Sequence, residues 1–250
     1  LHYQPKVDTK TGTINGVEAL IRWDNPETGL VAPYEFIPIA EYSGLIETIG
    51  EWVLSTACKQ ARTWLDMGID NCSVAVNFSG RQFRQEDLAA RIMAILQQNN
   101  LEPEYLVVEV TESAMMENIN NSTKVLREIS ELGVNIVLDD FGTGYSSLGY
   151  LKNFPVTHVK IDRSFIADSE TNERNAILVK SIISMAHGMG LKVTAEGVEN
   201  EAQVDRLLDF QCDEVQGYFF SKPVPQNEIT KLLQTGIKHR SASWPVLEAA

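Results

Sequence analysis

Eight short apolar runs punctuate the chain: LHYQPKV, GVEALIRW, SVAVNFS, LVVEVTE, NIVLDDF, HVKID, KVTAEGV and EVQGYFF. Several are nearly continuous in Val, Ile and Leu, the pattern of strands buried on both faces. Longer amphipathic stretches separate most of them. Residues 35–66 read as two helices broken near Gly44, and 83–99, 115–132, 173–188 and 200–209 each carry apolar positions at helical spacing. Asn25–Gly29 reads as a turn. ELG at 131–133 and GMG at 188–190 read as helix stops just ahead of a strand. Strand–helix alternation repeated about eight times in one domain-length chain predicts an α/β fold, a (β/α)8 TIM barrel. An open doubly wound sheet fits less well, because no phosphate-binding glycine fingerprint follows the first run. One domain is expected over 1–236, with 237–250 a C-terminal tail or linker.

Composition narrows the class. Hydrophobic residues make up 44% and charged residues 22%, which is globular. No apolar run approaches the roughly 18 residues of a membrane helix, and no signal-peptide pattern is visible. The chain opens on a strand-like run without Met, so it is expected to be a cytoplasmic domain of a longer protein, whose own membrane anchoring stays open. Cys58, Cys72 and Cys212 are far apart with no C-x-x-C, which predicts buried free thiols rather than disulfides or zinc. The net charge of −13 disfavours a polymeric nucleic acid as partner. A small phosphodiester remains open, provided bound cations invert the local field.

The chemistry gathers at the ends of the runs. In order they supply Gln4, Glu18, Asn77, Glu109 with Glu112, Asp139 with Asp140, Lys160 with Asp162, Glu196 with Glu199, and Gln216. One polar residue at a strand end is ordinarily a helix cap. Polar groups from every strand, converging on the barrel face where such enzymes place their sites, are not what capping predicts. Glu18, Asn77, Glu109, Asp139 and Asp140 are hard oxygen donors without His or Cys among them, which favours Mg²⁺, Mn²⁺ or Ca²⁺ over zinc. Adjacent aspartates can serve two ions, a pairing suited to in-line displacement at a phosphodiester. Lys160 and Asp162 share a strand face, so they either pair inside the barrel or aim the lysine at water or a phosphate oxygen. Arg22, four residues after Glu18, is either a surface charge or a phosphate clamp. The glycines of FGTGYSSLG match neither a Walker loop nor G-x-G-x-x-G and suit a loop that moves.

Taken in order, YQPKVD, GVEALIRW, VNFS, EVTES, LDDFGTGYSSL, VKIDRSFI, TAEGVE and QGYFFSKP resemble the EAL domain family from residue 2 to about 235. The resemblance implies a modified barrel with its first strand antiparallel, and hydrolysis of cyclic di-GMP to linear 5′-pGpG with two Mg²⁺ or Mn²⁺ ions. It implies Glu18, Asn77, Glu109 and Asp139 on the first ion and Asp139 with Asp140 on the second. It makes Glu196 the general base or holder of the attacking water, which Lys160 positions. It implies substrate contacts at Gln4, Arg22 and Gln216, with Tyr218, Phe219 and Pro223 near a guanine. Glu112 resembles the anchor of the Asp-Asp loop, and Glu199 a supporting residue. It further implies upstream sensory or GGDEF domains and a homodimer, for which Ser146–Phe154 offers an apolar surface. Two other readings remain: a cyclic di-GMP receptor without turnover, against which the intact ligand set argues, and an unrelated barrel hydrolase. The latter would be expected to use histidines, and only His158 lies near a strand end.

Overall fold

Every one of the eight runs forms a strand. The structure, a computed structural model, describes residues 1–85, 87–143, 151–167, 169 and 172–237. The barrel strands are β1 (His2–Asp8), β2 (Ile14–Leu20), β5 (Ser73–Phe78), β6 (Leu106–Thr111), β7 (Asn135–Phe141), β8 (His158–Ile161), β9 (Lys192–Ala195) and β10 (Glu214–Val215). They close in the order β10-β9-β8-β7-β6-β5-β2-β1, with β1 returning to β10. β1 runs antiparallel to both neighbours, and the other contacts around the ring are parallel. This is the modified barrel with its first strand reversed. A short β11 (Val224–Pro225) pairs antiparallel with the start of β1, at His2 and Tyr3. The GVEALIRW run stops at Leu20, and Trp23 instead opens a separate hairpin, β3 (Trp23–Asn25) and β4 (Gly29–Val31). Asn25 makes its turn, its Oδ1 accepting the N–H groups of Glu27 and Thr28.

The helices form the outer layer: α1 (Pro33–Ser43), α2 (Leu45–Asp66), α3 (Leu88–Gln98), α4 (Glu112–Met116), α5 (Ile119–Glu131), α6 (Arg163–Ala167), α7 (Glu173–Gly188), α8 (Glu201–Asp209) and α9 (Gln226–Thr235). Gly44 separates α1 from α2 at φ 84°, a left-handed conformation that glycine adopts without steric cost. The helix expected over 115–132 is two, because Thr111 and Asn118 each cap a new start, accepting from the N–H of Ala114 and Asn121. The helix expected from residue 83 begins at Leu88, after a 3₁₀ turn at Gln82–Arg84.

Strand alternation sorts the core into two environments. Outward-facing Val17, Val76, Val108, Val159, Val193 and Val215 are buried against helix residues such as Ile92, Leu126, Ile183 and Ile229. Each such side chain contributes about 1.5–3 kcal/mol by leaving water. Trp64 of α2 closes the layer, stacking edge-on against Tyr3 at 5.3 Å and donating to Thr230 Oγ1 of α9 at 2.9 Å. The lumen, by contrast, is polar. Its only apolar cluster among the described residues is Ala75, Val107 and Val137. Around and below that cluster, Lys6, Asn15, His158, Thr194 and Glu214 line a lower cavity of about 250 Å³. His158 therefore lies at the end away from the strand C-termini. All three cysteines are free and buried.

Leu151 and Phe154 belong to the core rather than to an exposed surface, which corrects the expected dimer face for those two residues. Lys152 and Asn153 of that segment are exposed, and residues 146–150 and the tail from 238 lie outside the described residues.

Candidate functional site

Above the lower cavity, alternate residues of the strands place one polar layer at the mouth. Gln4 pairs in register with Glu18, and Asn77 with Glu109. Because β1 is reversed, Gln4 enters this layer from near the start of its strand, not from the C-terminal end that the sequence suggests. Its Nε2 donates to the Ser221 carbonyl, and its Oε1 accepts from Gln216 Nε2 at 3.0 Å. Gln216 Nε2 also donates to Glu18 Oε2 at 2.7 Å, and Asn77 Nδ2 donates to Glu18 Oε1 at 2.6 Å.

The centre of the layer is the Lys160 ammonium, which has no solvent exposure. It lies 2.6 Å from Glu196 Oε1, 2.7 Å from Glu109 Oε2, 3.3 Å from Asp139 Oδ2 and 3.4 Å from Glu18 Oε2. A second buried ammonium, Lys6, meets the other Glu109 oxygen at 2.8 Å. Four carboxylates thus face two ammoniums, and the titrations divide accordingly. Burial alone would raise the Glu109 carboxyl, but Lys160 and Lys6 outweigh it and hold it at about 2. Burial pushes Glu196 up to about 8, with Lys160 opposing and Asp139 and Glu18 adding to the rise. Asp139 is raised by burial against the pull of Lys160. Burial would lower Lys160, but the surrounding carboxylates hold it well above its ordinary value.

The two aspartates both serve this region because the strand is interrupted. The β7–β8 register shifts between Leu138 and Phe141, and Asp140 adopts φ 55°. Asp139 Oδ1 accepts the Asp140 N–H at 2.8 Å. Asp140, half-buried, is raised by burial and by the charge of Asp162. Of the two sequence readings of Lys160 and Asp162, the pairing on one strand face is not formed. β8 ends at Ile161, and Asp162 Oδ1 instead caps α6, accepting from the Ser164 N–H and hydroxyl.

A cleft of about 200 Å³ opens on this layer between Gln4, Glu18, Glu196, Glu199, Gln216 and Tyr218. Glu199 is exposed on its wall, and its backbone N–H donates to Gln203 Oε1. Tyr218 is an exposed platform with the Lys222 ammonium 5.5 Å from its ring centre. Pro223 is half-buried just beyond. A second hollow of about 260 Å³ on the other side is lined by Arg22, Asn77 and apolar residues of α2. Arg22 Nη1 donates to the Ile21 carbonyl. Glu112 is buried in the first turn of α4.

Close backbone contact holds the cleft walls together. A Cβ on Gly217 would lie 2.0 Å from the Val198 carbonyl oxygen. The Gln216 N–H donates to the Ala195 carbonyl, and the Val198 N–H donates to the Gln216 carbonyl. Glu196 and Gln216 are therefore carried on loops that touch.

Among the described residues no three Asp, Glu, His or Cys side chains are already drawn together as a metal cage. The carboxylates close instead on an ammonium, a monovalent cation at their focus. An all-oxygen donor set with surplus negative charge around a bound cation fits a hard divalent ion. Lys6, one inward position below this layer, is the buried residue that sequence reasoning passed over; standing two positions after Gln4, it shares that residue's strand face.

The sequence profile of the EAL domain matches residues 1–223. The chain is 49% identical over 233 residues to the signaling protein YkoW of Bacillus subtilis, covering 93% of this chain and 29% of YkoW. It is 45% identical over 229 residues to the bifunctional diguanylate cyclase/cyclic di-GMP phosphodiesterase MucR of Pseudomonas aeruginosa, covering 92% of this chain and 33% of MucR. Among solved structures, the PaMucR phosphodiesterase in complex with c-di-GMP superposes with a TM-score of 0.87 at 44% identity, covering 92% of this chain and 93% of that one. The chain thus spans about a third of the length of these curated relatives.

Proposed function

This chain belongs to the EAL domain family, and we propose that it is a phosphodiesterase that opens cyclic di-GMP to linear 5′-pGpG with divalent-cation help. The observation that carries this is the convergence of Glu18, Glu109, Asp139 and Glu196 on Lys160 at the strand C-termini, beside an open cleft. We assign Glu18, Asn77, Glu109 and Asp139 to one Mg²⁺ or Mn²⁺ ion and Asp139 with Asp140 to a second. Ions held there supply polarisation of the phosphoryl oxygen and of a nearby water.

The chain's own residues do the rest. Glu196, beside the cleft and 2.6 Å from Lys160, accepts the proton of the attacking water. Lys160 orients that water and faces the charge that grows on the phosphate oxygens. Arg22 clamps the phosphate, Gln4 and Gln216 orient the ring, and Tyr218, Phe219 and Pro223 flank a guanine. Glu112 and Glu199 support the Asp-Asp segment and the cleft wall. In-line attack forms the bond from the water oxygen to phosphorus as the bond to the 3′-oxygen breaks; that oxygen takes up a proton from solvent and leaves as a hydroxyl, and the 5′-linked phosphate stays on the product.

Purified chain incubated with cyclic di-GMP and either ion should yield the linear dinucleotide by chromatography. Absence of product with both ions in folded protein overturns the assignment. Because the chain spans about a third of its relatives, we place it as an output module whose longer parent carries sensory or GGDEF domains, working as a homodimer. We draw the module's boundary at residue 236, after α9, whose Ile229 is fully buried.

A further inference from the structure

We infer that Lys6 is a positioning residue for the cation site: it grips the Glu109 carboxylate from beneath, so that one chosen oxygen faces the mouth. The inference rests on the metal-dependent reading above.

Lys6 reaches the lumen from the reversed strand β1, one inward position below Gln4. It is 4% exposed and Glu109 is 0% exposed. The two carboxylate oxygens are divided between two donors on opposite sides. Oε1 accepts from Lys6 at 2.8 Å, and Oε2 accepts from Lys160 at 2.7 Å, on the side of Glu18, Asp139 and Glu196. Among the described residues no other side chain hydrogen-bonds Glu109. Gly16 stands opposite Lys6 in register, and a Cβ there would meet Ser73 Oγ at 3.0 Å and Lys6 Cε at 3.8 Å.

The consequence concerns ligand geometry. Without Lys6, the Glu109 carboxylate keeps only its Lys160 contact, and its lower oxygen, facing the lower cavity, no longer resists a pivot about the last torsion. Mg²⁺ and Mn²⁺ demand a fixed oxygen position, so a pivoting ligand binds them less well. Partners that orient a metal ligand typically account for about 10–100-fold in metal affinity.

The test is calorimetric titration of Mn²⁺ into substrate-free protein, comparing wild type, Lys6→Met and Lys6→Gln. The expected result is Mn²⁺ binding weakened by about 10–100-fold. At saturating Mn²⁺ the KM for cyclic di-GMP should match wild type and kcat should largely recover. In a Glu109→Gln background, Lys6→Met should cause no further loss of Mn²⁺ affinity. Unchanged affinity in folded Lys6→Met, even with a lowered Tm, overturns the inference, as does a full additional loss in the Glu109→Gln background. Lys6→Gln keeps a donor on a chain one atom shorter and should lose less affinity than Lys6→Met; where Lys6→Met does not fold, Lys6→Leu takes its place under the same criterion. Wild type that binds Mn²⁺ yet turns over no substrate sinks the proposed activity but leaves this titration decisive. Wild type that binds no Mn²⁺ overturns both.

Discussion

Adjacent aspartates at the end of an apolar strand would repel in a regular strand, where alternation sends one of them into the apolar layer. The break after Leu138 resolves this, since Asp140 takes a left-handed conformation that aspartate and asparagine tolerate better than other side chains. Replacing both by Asn keeps that backbone and removes the charge. The double variant should fold as wild type by circular dichroism and lose turnover. Glu196 differs, because the four carboxylates outnumber the two ammoniums and it is the one pushed up to about 8. In protein stripped of divalent cations its value stands at about 8 instead of 4.5, chiefly through burial. The folded state then holds a proton that the unfolded chain has released, so this residue's contribution to stability falls as pH rises from about 4.5 to 8. In Glu196→Gln that part of the slope should vanish, measured as Tm in EDTA at the two ends of the window, while activity with cations drops by about 10²–10⁴-fold. An unchanged pH slope would show that Glu196 is ionised throughout. The oxygen donors were readable from sequence because each ends an apolar run. Lys6 was not, because a lysine within a strand gives no sign of which buried carboxylate it meets.

Periodicity located every barrel strand but carried no direction. LHYQPKV alternates identically read either way, so the reversal of β1 came from the family resemblance. Strand limits were less legible. Asp162 was placed on the strand face of Lys160 because nothing in HVKID shows the strand stopping at Ile161. The loops after β9 and β10 offer a direct test at this scale. Gly217→Ala would put a Cβ 2.0 Å from the Val198 carbonyl oxygen and 2.3 Å from its nitrogen. Backbone on both sides leaves no flexible group to yield, so the loops must separate and draw Glu196 away from Gln216. A stability loss of about 1–3 kcal/mol is expected in denaturant melts, with turnover reduced further than the lost folded fraction explains. Leu151, 5% exposed in the core, makes a contrasting case. Leu151→Glu should cost at least about 2–5 kcal/mol and lower Tm sharply, so it reports on packing and cannot serve as a probe of assembly.

At the scale of the whole molecule, an apolar shell encloses a polar lumen, and the chain carries a net charge of −13. Barrel interiors are ordinarily filled by branched apolar layers. Here the buried charges are paired, Lys6 and Lys160 with Glu109, and the Gln216 amide nitrogen donates to Gln4 and Glu18. The long-range field still opposes the proposed substrate, which carries two phosphates. A phosphate-binding protein that recruits its ligand with a basic surface loses affinity steeply as salt rises. This chain should behave in the opposite way. With Mn²⁺ saturating, the ions neutralise the mouth, and the remaining force on an approaching dianion is repulsion from the acidic exterior. Raising ionic strength from about 0.01 to 0.1 M shortens the screening length from about 30 to 10 Å and should leave kcat/KM flat or raise it. Initial rates across a monovalent-salt series at fixed saturating Mn²⁺ make the measurement. A steep fall would mean that a cationic path, built from Arg22, Arg163 and Lys222 around the rim, governs approach despite the net charge.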